Sequence, residues 1–131
     1  MSLLTREAIL AAPDLVTETV AVPEWGGEVL VRSLELAERE QYEAGSFIMR
    51  GETREVNLAT LRARLLALAL VDLDGHALFR EADITALGRK NGRVMARLFE
   101  VAQRLSGLGA RDIETLAKNS EPGPNGGSSS G

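Results

Sequence analysis

Thr17-Glu-Thr-Val-Ala-Val-Pro-Glu-Trp-Gly-Gly-Glu-Val-Leu-Val-Arg32 reads as two short strands joined by a tight turn. Thr17, Thr19 and Ala21 alternate with Glu18, Val20 and Val22 at the strand period of two, and Val29 and Val31 repeat the pattern on the return. Pro23 opens the connection, and Gly26 and Gly27 can supply the positive φ angles that a tight reversal needs. Trp25, the only tryptophan of the chain, sits at the tip. A lone hairpin is marginal in water, so its Val face needs helices to pack on.

Those helices are written on both sides of the hairpin. Upstream, Thr5 is placed to cap a short helix with Ile9 and Leu10 on its buried side, ended by Pro13. Downstream, Ser33 is placed to cap a helix reaching about Arg50, with Ala37, Tyr42, Phe47 and Ile48 as its apolar contacts. Gly45 weakens that helix by about 1 kcal/mol relative to Ala. Gly51-Glu-Thr-Arg54 is a break, after which Asn57 caps the strongest helix. Leu58, Leu61, Leu65 and Leu68 share one face of it, widened by Leu66 and Leu70. Its second half, Leu65-Leu-Ala-Leu-Ala-Leu-Val71, is apolar all round. That pattern suits a central buried helix, or one that offers a face to a partner.

Asp72-Leu-Asp-Gly-His76 is a turn, with a few strand-like bonds expected between Val71 and Ala77-Leu-Phe79. Glu81 to Leu87 forms a short helix stopped by Gly88. Asn91 caps the last long helix, on which Val94, Leu98, Val101 and Leu105 align, flanked by Met95, Phe99 and Ala102, until Gly107 and Gly109. Arg111 to Asn119 has the pattern of two further turns, with Ile113 and Leu116 inward. From Ser120 onward the Pro/Gly/Ser run has too little apolar area to offset ordering, which predicts a flexible tail. The expected fold is therefore α+β and mainly helical. An N-terminal β-hairpin packs on four to five helices in one domain, 1–119, followed by a disordered C-terminal tail, 120–131.

Composition narrows the function. With 19 acidic against 15 basic residues the net charge is -4, which argues against nucleic acid as a partner because phosphate binding needs clustered Lys and Arg. The absence of cysteine excludes disulfides and thiol chemistry and fits a reducing cytoplasm. The N-terminus lacks a signal-peptide pattern, and the longest apolar run, Leu65 to Val71, is far too short for a bilayer, so a soluble intracellular protein with no membrane partner is expected.

Candidate chemistry is sparse. In Asp72-Leu-Asp-Gly, Gly75 falls at the fourth place of a would-be calcium loop where the sixth is required, and Asp83 stands where a bidentate Glu belongs. His76 is the only histidine, too few for a His-based metal site or a triad. Asp72 and Asp74 in an exposed turn are expected to keep near-normal pKa values. Neither Gly26-Gly27 nor Gly107-Leu-Gly109 has phosphate-loop spacing. The residues supply no catalytic set and imply no cofactor, so a binding protein is expected. Trp25 is then either a ring folded over the Val face or an adjacent helix, or an exposed aromatic anchor for a partner.

The chain resembles the tail assembly chaperones of long-tailed bacteriophages and prophages. The resemblance lies in Leu4-Thr-Arg-Glu-Ala-Ile-Leu10, Thr19-Val-Ala-Val-Pro-Glu-Trp-Gly-Gly27, Val31-Arg-Ser-Leu34 with Ala37-Glu-Arg39, Leu70-Val-Asp-Leu-Asp-Gly75 with Leu78-Phe79, and Lys118-Asn119. It implies a chaperone that coats the long helical tape measure protein and keeps it soluble. It further implies help in recruiting tail tube subunits, self-association, action in the cytoplasm of the infected or lysogenic host, and absence from the finished virion. It also implies a longer form made by ribosomal frameshifting, with Ala117-Lys118-Asn119 marking the slip site. On this resemblance Trp25, Lys118 and Asn119 are the expected partner-binding residues. The competing readings are a minor structural tail or head–tail connector protein and a small host adaptor domain.

Overall fold

The computed structural model describes residues 2–57 and 60–108. Among them the chain runs α1 (Arg6–Ala11), β1 (Thr17–Val22), β2 (Gly27–Arg32), α2 (Leu36–Gly45), β3 (Phe47–Arg50), β4 (Thr53–Val56), α3 (Leu61–Ala69), β5 (Leu70–Val71), α4 (Ile84–Leu87) and α5 (Gly92–Leu105). The fold is α+β, with the N-terminal hairpin laid against α5, and with α2, α4 and α5 gathered round α3. The segment expected as helix at Arg111–Asn119, the tail from Ser120 and the domain boundary at 119 lie outside the described residues.

β1 and β2 pair antiparallel from Thr17↔Arg32 to Val22↔Gly27. Pro23–Trp25 form one 3₁₀ turn between them, and Gly26 at φ 78° reverses the chain. Gly27 needs no such angle, because it already belongs to β2 and pairs with Val22. Val22 and Val31 are fully buried, so the face expected to pack does so. β2 is also joined by β5, through Leu30↔Val71 and Val31↔Leu70, giving the order β1-β2-β5.

Three expectations change here. Leu70 and Val71, read as the end of the leucine helix, leave it as a strand because β2 offers them a ladder of backbone bonds. The helix expected from Ser33 to about Arg50 starts later and ends sooner. Ser33 is buried, and its hydroxyl accepts from Val16 N–H at 2.9 Å, so it ties the hairpin's root. The cap is Glu35, in a reciprocal capping box with Glu38. Beyond Gly45 the chain forms a second hairpin, β3 with β4, paired from Phe47↔Val56 to Arg50↔Thr53 around Gly51 at φ 65°. The third change concerns α1. Thr5 caps it as expected, with its hydroxyl accepting from Ala8 N–H at 3.1 Å, but Ile9 and Leu10 are 55% and 69% exposed. Their pairing marks an apolar face without saying what covers it, and this chain's own core is filled without them.

Gly45 has a positive role that its poor propensity hides. A Cβ there would meet Arg64 Nη1 at 2.6 Å, so the glycine lets Arg64 cross the end of α2 and pair with Glu81 at 3.6 Å. Arg32 makes another long-range tie. Its guanidinium donates to both carboxylate oxygens of Glu38 at 2.6 and 2.7 Å and to Gly75 carbonyl oxygen at 2.7 Å. One nearly buried side chain thus joins the hairpin, α2 and the Asp-Gly turn. Removing one partner of such a pair typically costs about 3–5 kcal/mol.

The later elements follow expectation. Asn91 Oδ1 accepts from Arg93 and Val94 N–H, both at 3.0 Å, and caps α5. Its far end closes with Gly107 N–H on Arg104 oxygen and Leu108 N–H on Gln103 oxygen, the bonds of a Schellman motif. One expectation fails here: Asn57 does not cap the leucine helix, because α3 starts at Leu61 and its cap is Thr60. Leu65, Leu66, Val94 and Leu98 are completely buried, so those faces of α3 and α5 are core.

Tyr42 shares this core at 0% exposure, with its hydroxyl buried and without a protein hydrogen-bond partner. Burial, and secondarily the charge of Glu43, pushes its pKa from 10.0 up to about 12. A folded-state pKa above the unfolded one leaves this contribution intact below pH 10.0 and removes it as pH rises toward about 12. Alkaline melts should therefore show a loss of stability in that window that Tyr42→Phe largely abolishes. An identical alkaline loss in wild type and Tyr42→Phe would contradict the assignment.

Candidate functional site

The hairpin tip is fastened to α5 by a forked ion pair. Arg97 donates to Glu24 Oε1 at 2.8 Å and Oε2 at 3.3 Å. The Arg97 hydrogen bond, with a smaller contribution from the Glu24 backbone, holds the Glu24 carboxyl below its ordinary value, and Glu24 in turn raises Arg97. Next to this clamp Trp25 is 36% exposed, and Lys90 Nζ stands 5.4 Å from its ring centroid, over the face. The tip thus presents an indole carrying a cation, attached to the helical side of the molecule and half open to solvent.

Lys90 also borders a groove of about 500 Å³ between the start of α3, the α4–α5 connection and the first half of α5. Its floor is Leu61, Ala63, Leu87, Met95 and Phe99, and small residues keep it open. A Cβ added at Gly92 would meet nothing within 4 Å, and Ala96 contributes only a methyl. Arg62 also lines the groove, with its guanidinium carbon 5.5 Å from the Phe99 ring centroid. Among the described residues neither Arg62 nor Lys90 is in an ion pair, and no carboxylate lines the groove. An apolar floor between two uncommitted cations is suited to an apolar side-chain stripe of another molecule.

The Asp-Gly turn behaves differently. Asp72 Oδ1 accepts from the N–H groups of Asp74 and His76 at 2.9 and 3.0 Å. The His76 hydrogen bond lowers the Asp72 pKa, a correction to the near-normal value expected from exposure alone. The ligand atoms of Asp72, Asp74 and His76 lie within 4.8 Å of one another on an exposed loop. Asp72 already serves the turn, whose ends are joined by Leu78 N–H on Leu70 oxygen and by the Val71↔Ala77 bridge.

Of the residues expected to bind partners, the structure places Trp25 beside the groove, one lysine away. Lys118 and Asn119 lie outside the described residues. Sequence reasoning missed the groove itself. Local spacing carries no signal for Arg62 and Lys90, because their placement over the Phe99 and Trp25 rings beside one groove arises only in the folded chain.

The chain belongs to the phage tail assembly chaperone family, whose profile matches residues 5–120. The solved structure of the bacteriophage HK97 tail assembly chaperone has the same fold, at TM-score 0.54 and 22% identity over 79% of this chain and 94% of that one. No curated protein matches the chain. No helix among the described residues is long and apolar enough to cross a membrane.

The Glu24–Arg97 clamp carries a pH signature. A depressed carboxyl contributes stability above its unfolded pKa near 4.5 and loses it as pH falls through the lower folded value. Acidification through that range should shift Trp25 emission as the tip detaches, and Arg97→Ala should show the detached spectrum at neutral pH. Superimposable acid titrations of wild type and Arg97→Ala would remove the clamp from the account.

Proposed function

We propose that this chain is a non-catalytic assembly factor that binds the phage tape measure protein, keeps it soluble in the host cytoplasm, and helps recruit tail tube subunits before leaving the particle. Family membership supports the chaperone role. The observation that carries the binding reading is the open apolar groove between α3 and α5. A long helical partner waiting for its tube exposes apolar stripes. A chaperone must cover such stripes without competing irreversibly with the tube, and a shallow groove of modest area fits a reversible contact.

The test is co-expression with the tape measure protein encoded beside it. Wild type should raise the soluble tape measure fraction and co-purify with it. Ala96→Gln places neutral polar bulk in the groove at an exposed helix position, so the melting temperature should barely move while affinity falls about tenfold or more. A tape measure protein equally insoluble with and without the wild-type chain would contradict the chaperone reading. A stoichiometric amount of the chain in purified virions would favour a structural tail component instead.

A further inference from the structure

We infer that the segment accepted by the α3–α5 groove is an amphipathic helix whose apolar stripe is bordered by carboxylates. The inference rests on the groove being the docking surface proposed above and adds the chemistry of its occupant. This chain has 19 acidic and 15 basic residues, so an average patch is acidic. The groove is the reverse. Arg62 and Lys90 line it, and among the described residues no Asp or Glu does.

The state of these cations is informative. Arg6, Arg32, Arg39, Arg50, Arg64, Arg97 and Arg104 each have a carboxylate partner. Arg62 and Lys90 instead lie over aromatic rings, Phe99 and Trp25. A ring face is a weaker partner for a cation than a carboxylate at hydrogen-bond distance. Both are therefore parked where an incoming anion can claim them without breaking an ion pair. The apolar floor between them takes the i, i+3 or i+4, i+7 side chains of a helix, and residues beside such a stripe fall over the rims. Carboxylates at those positions meet the cations that line the groove, Arg62 and Lys90, whereas lysines there face like charge. A lysine drawn off the indole changes the surroundings of Trp25, which makes the only tryptophan of the chain a built-in reporter.

The experiment titrates two tryptophan-free synthetic helical peptides into the full chain while Trp25 emission is followed. Both carry the same Leu/Ala stripe, bordered by Glu in one and by Lys in the other. The Glu-bordered peptide should bind at least about tenfold more tightly, and the gap should shrink as salt rises. The double variant Arg62→Glu with Lys90→Glu alters only exposed positions, should melt like wild type, and should reverse the preference. Equal binding of both peptides to wild type, or an unchanged preference in the double variant, overturns the inference. So does sedimentation showing that the double substitution dissociates an oligomer of this chain while peptide preference stays the same, since the groove's occupant would then be a second copy. If tape measure protein still co-purifies with the wild-type chain in any of these cases, the chaperone reading stands and only the occupant's chemistry falls. If co-purification fails as well, both fall.

Discussion

Helix α3 is nine residues long and has almost no polar side of its own, and that constraint organises the rest of the molecule. Leu61, Ala63, Leu65, Leu66, Ala67 and Ala69 are all buried. A large apolar side chain taken fully from water contributes roughly 1.5–3 kcal/mol, so leaving this helix bare is not an option for a stable monomer. α2, α4 and α5 each lie against it, and its continuation as β5 bonds to β2. The hairpin's position is thereby fixed by the β2–β5 ladder, by the Arg32 tie to α2, and by the Glu24–Arg97 and Glu18–Arg104 ion pairs to α5.

The groove is where that covering runs out. α4 has only four residues, the connection after it starts at Gly88, and α5 opens on a second glycine, Gly92. A groove therefore runs between the first turn of α3 and the first half of α5, above their packed core. The gap remains apolar because its walls are the outer parts of the core residues Leu61, Met95 and Phe99. One feature of the fold thus serves two ends: α3 is closed enough to hold the domain together and open enough at its start to receive another helix. The cations at its rim add selectivity, which charge supplies more readily than raw affinity.

Much of this was legible in the residues, for identifiable reasons. The β1–β2 hairpin, α5 with its Asn91 cap, and the Asp-Gly turn rest on local signals that tertiary packing reinforces. The second hairpin did not come through, because Phe47-Ile-Met-Arg50 follows directly on a helical segment and was absorbed into it. The turn residue that separates its strands, Gly51, looked like a simple break. Ser33 looked like a cap since its type favours one, but its hydroxyl was already claimed by Val16 N–H. Leu70 and Val71 carry a helical pattern that a ladder partner some forty residues earlier overrides. For the site, Trp25 stood out by composition alone. Arg62 and Lys90 did not, because what joins them is tertiary: both line one groove, each over an aromatic ring.

The most direct measurement is hydrogen exchange of the chain alone and in complex with its tape measure partner. Docking in the groove requires slowed exchange at the start of α3 and in the first half of α5, around Leu61–Ala63 and Gly92–Phe99, with β1 little changed. Protection confined to the exposed segment around α1 or to the outer edge of β1, with α3 and α5 unaltered, would place the partner elsewhere and contradict the account.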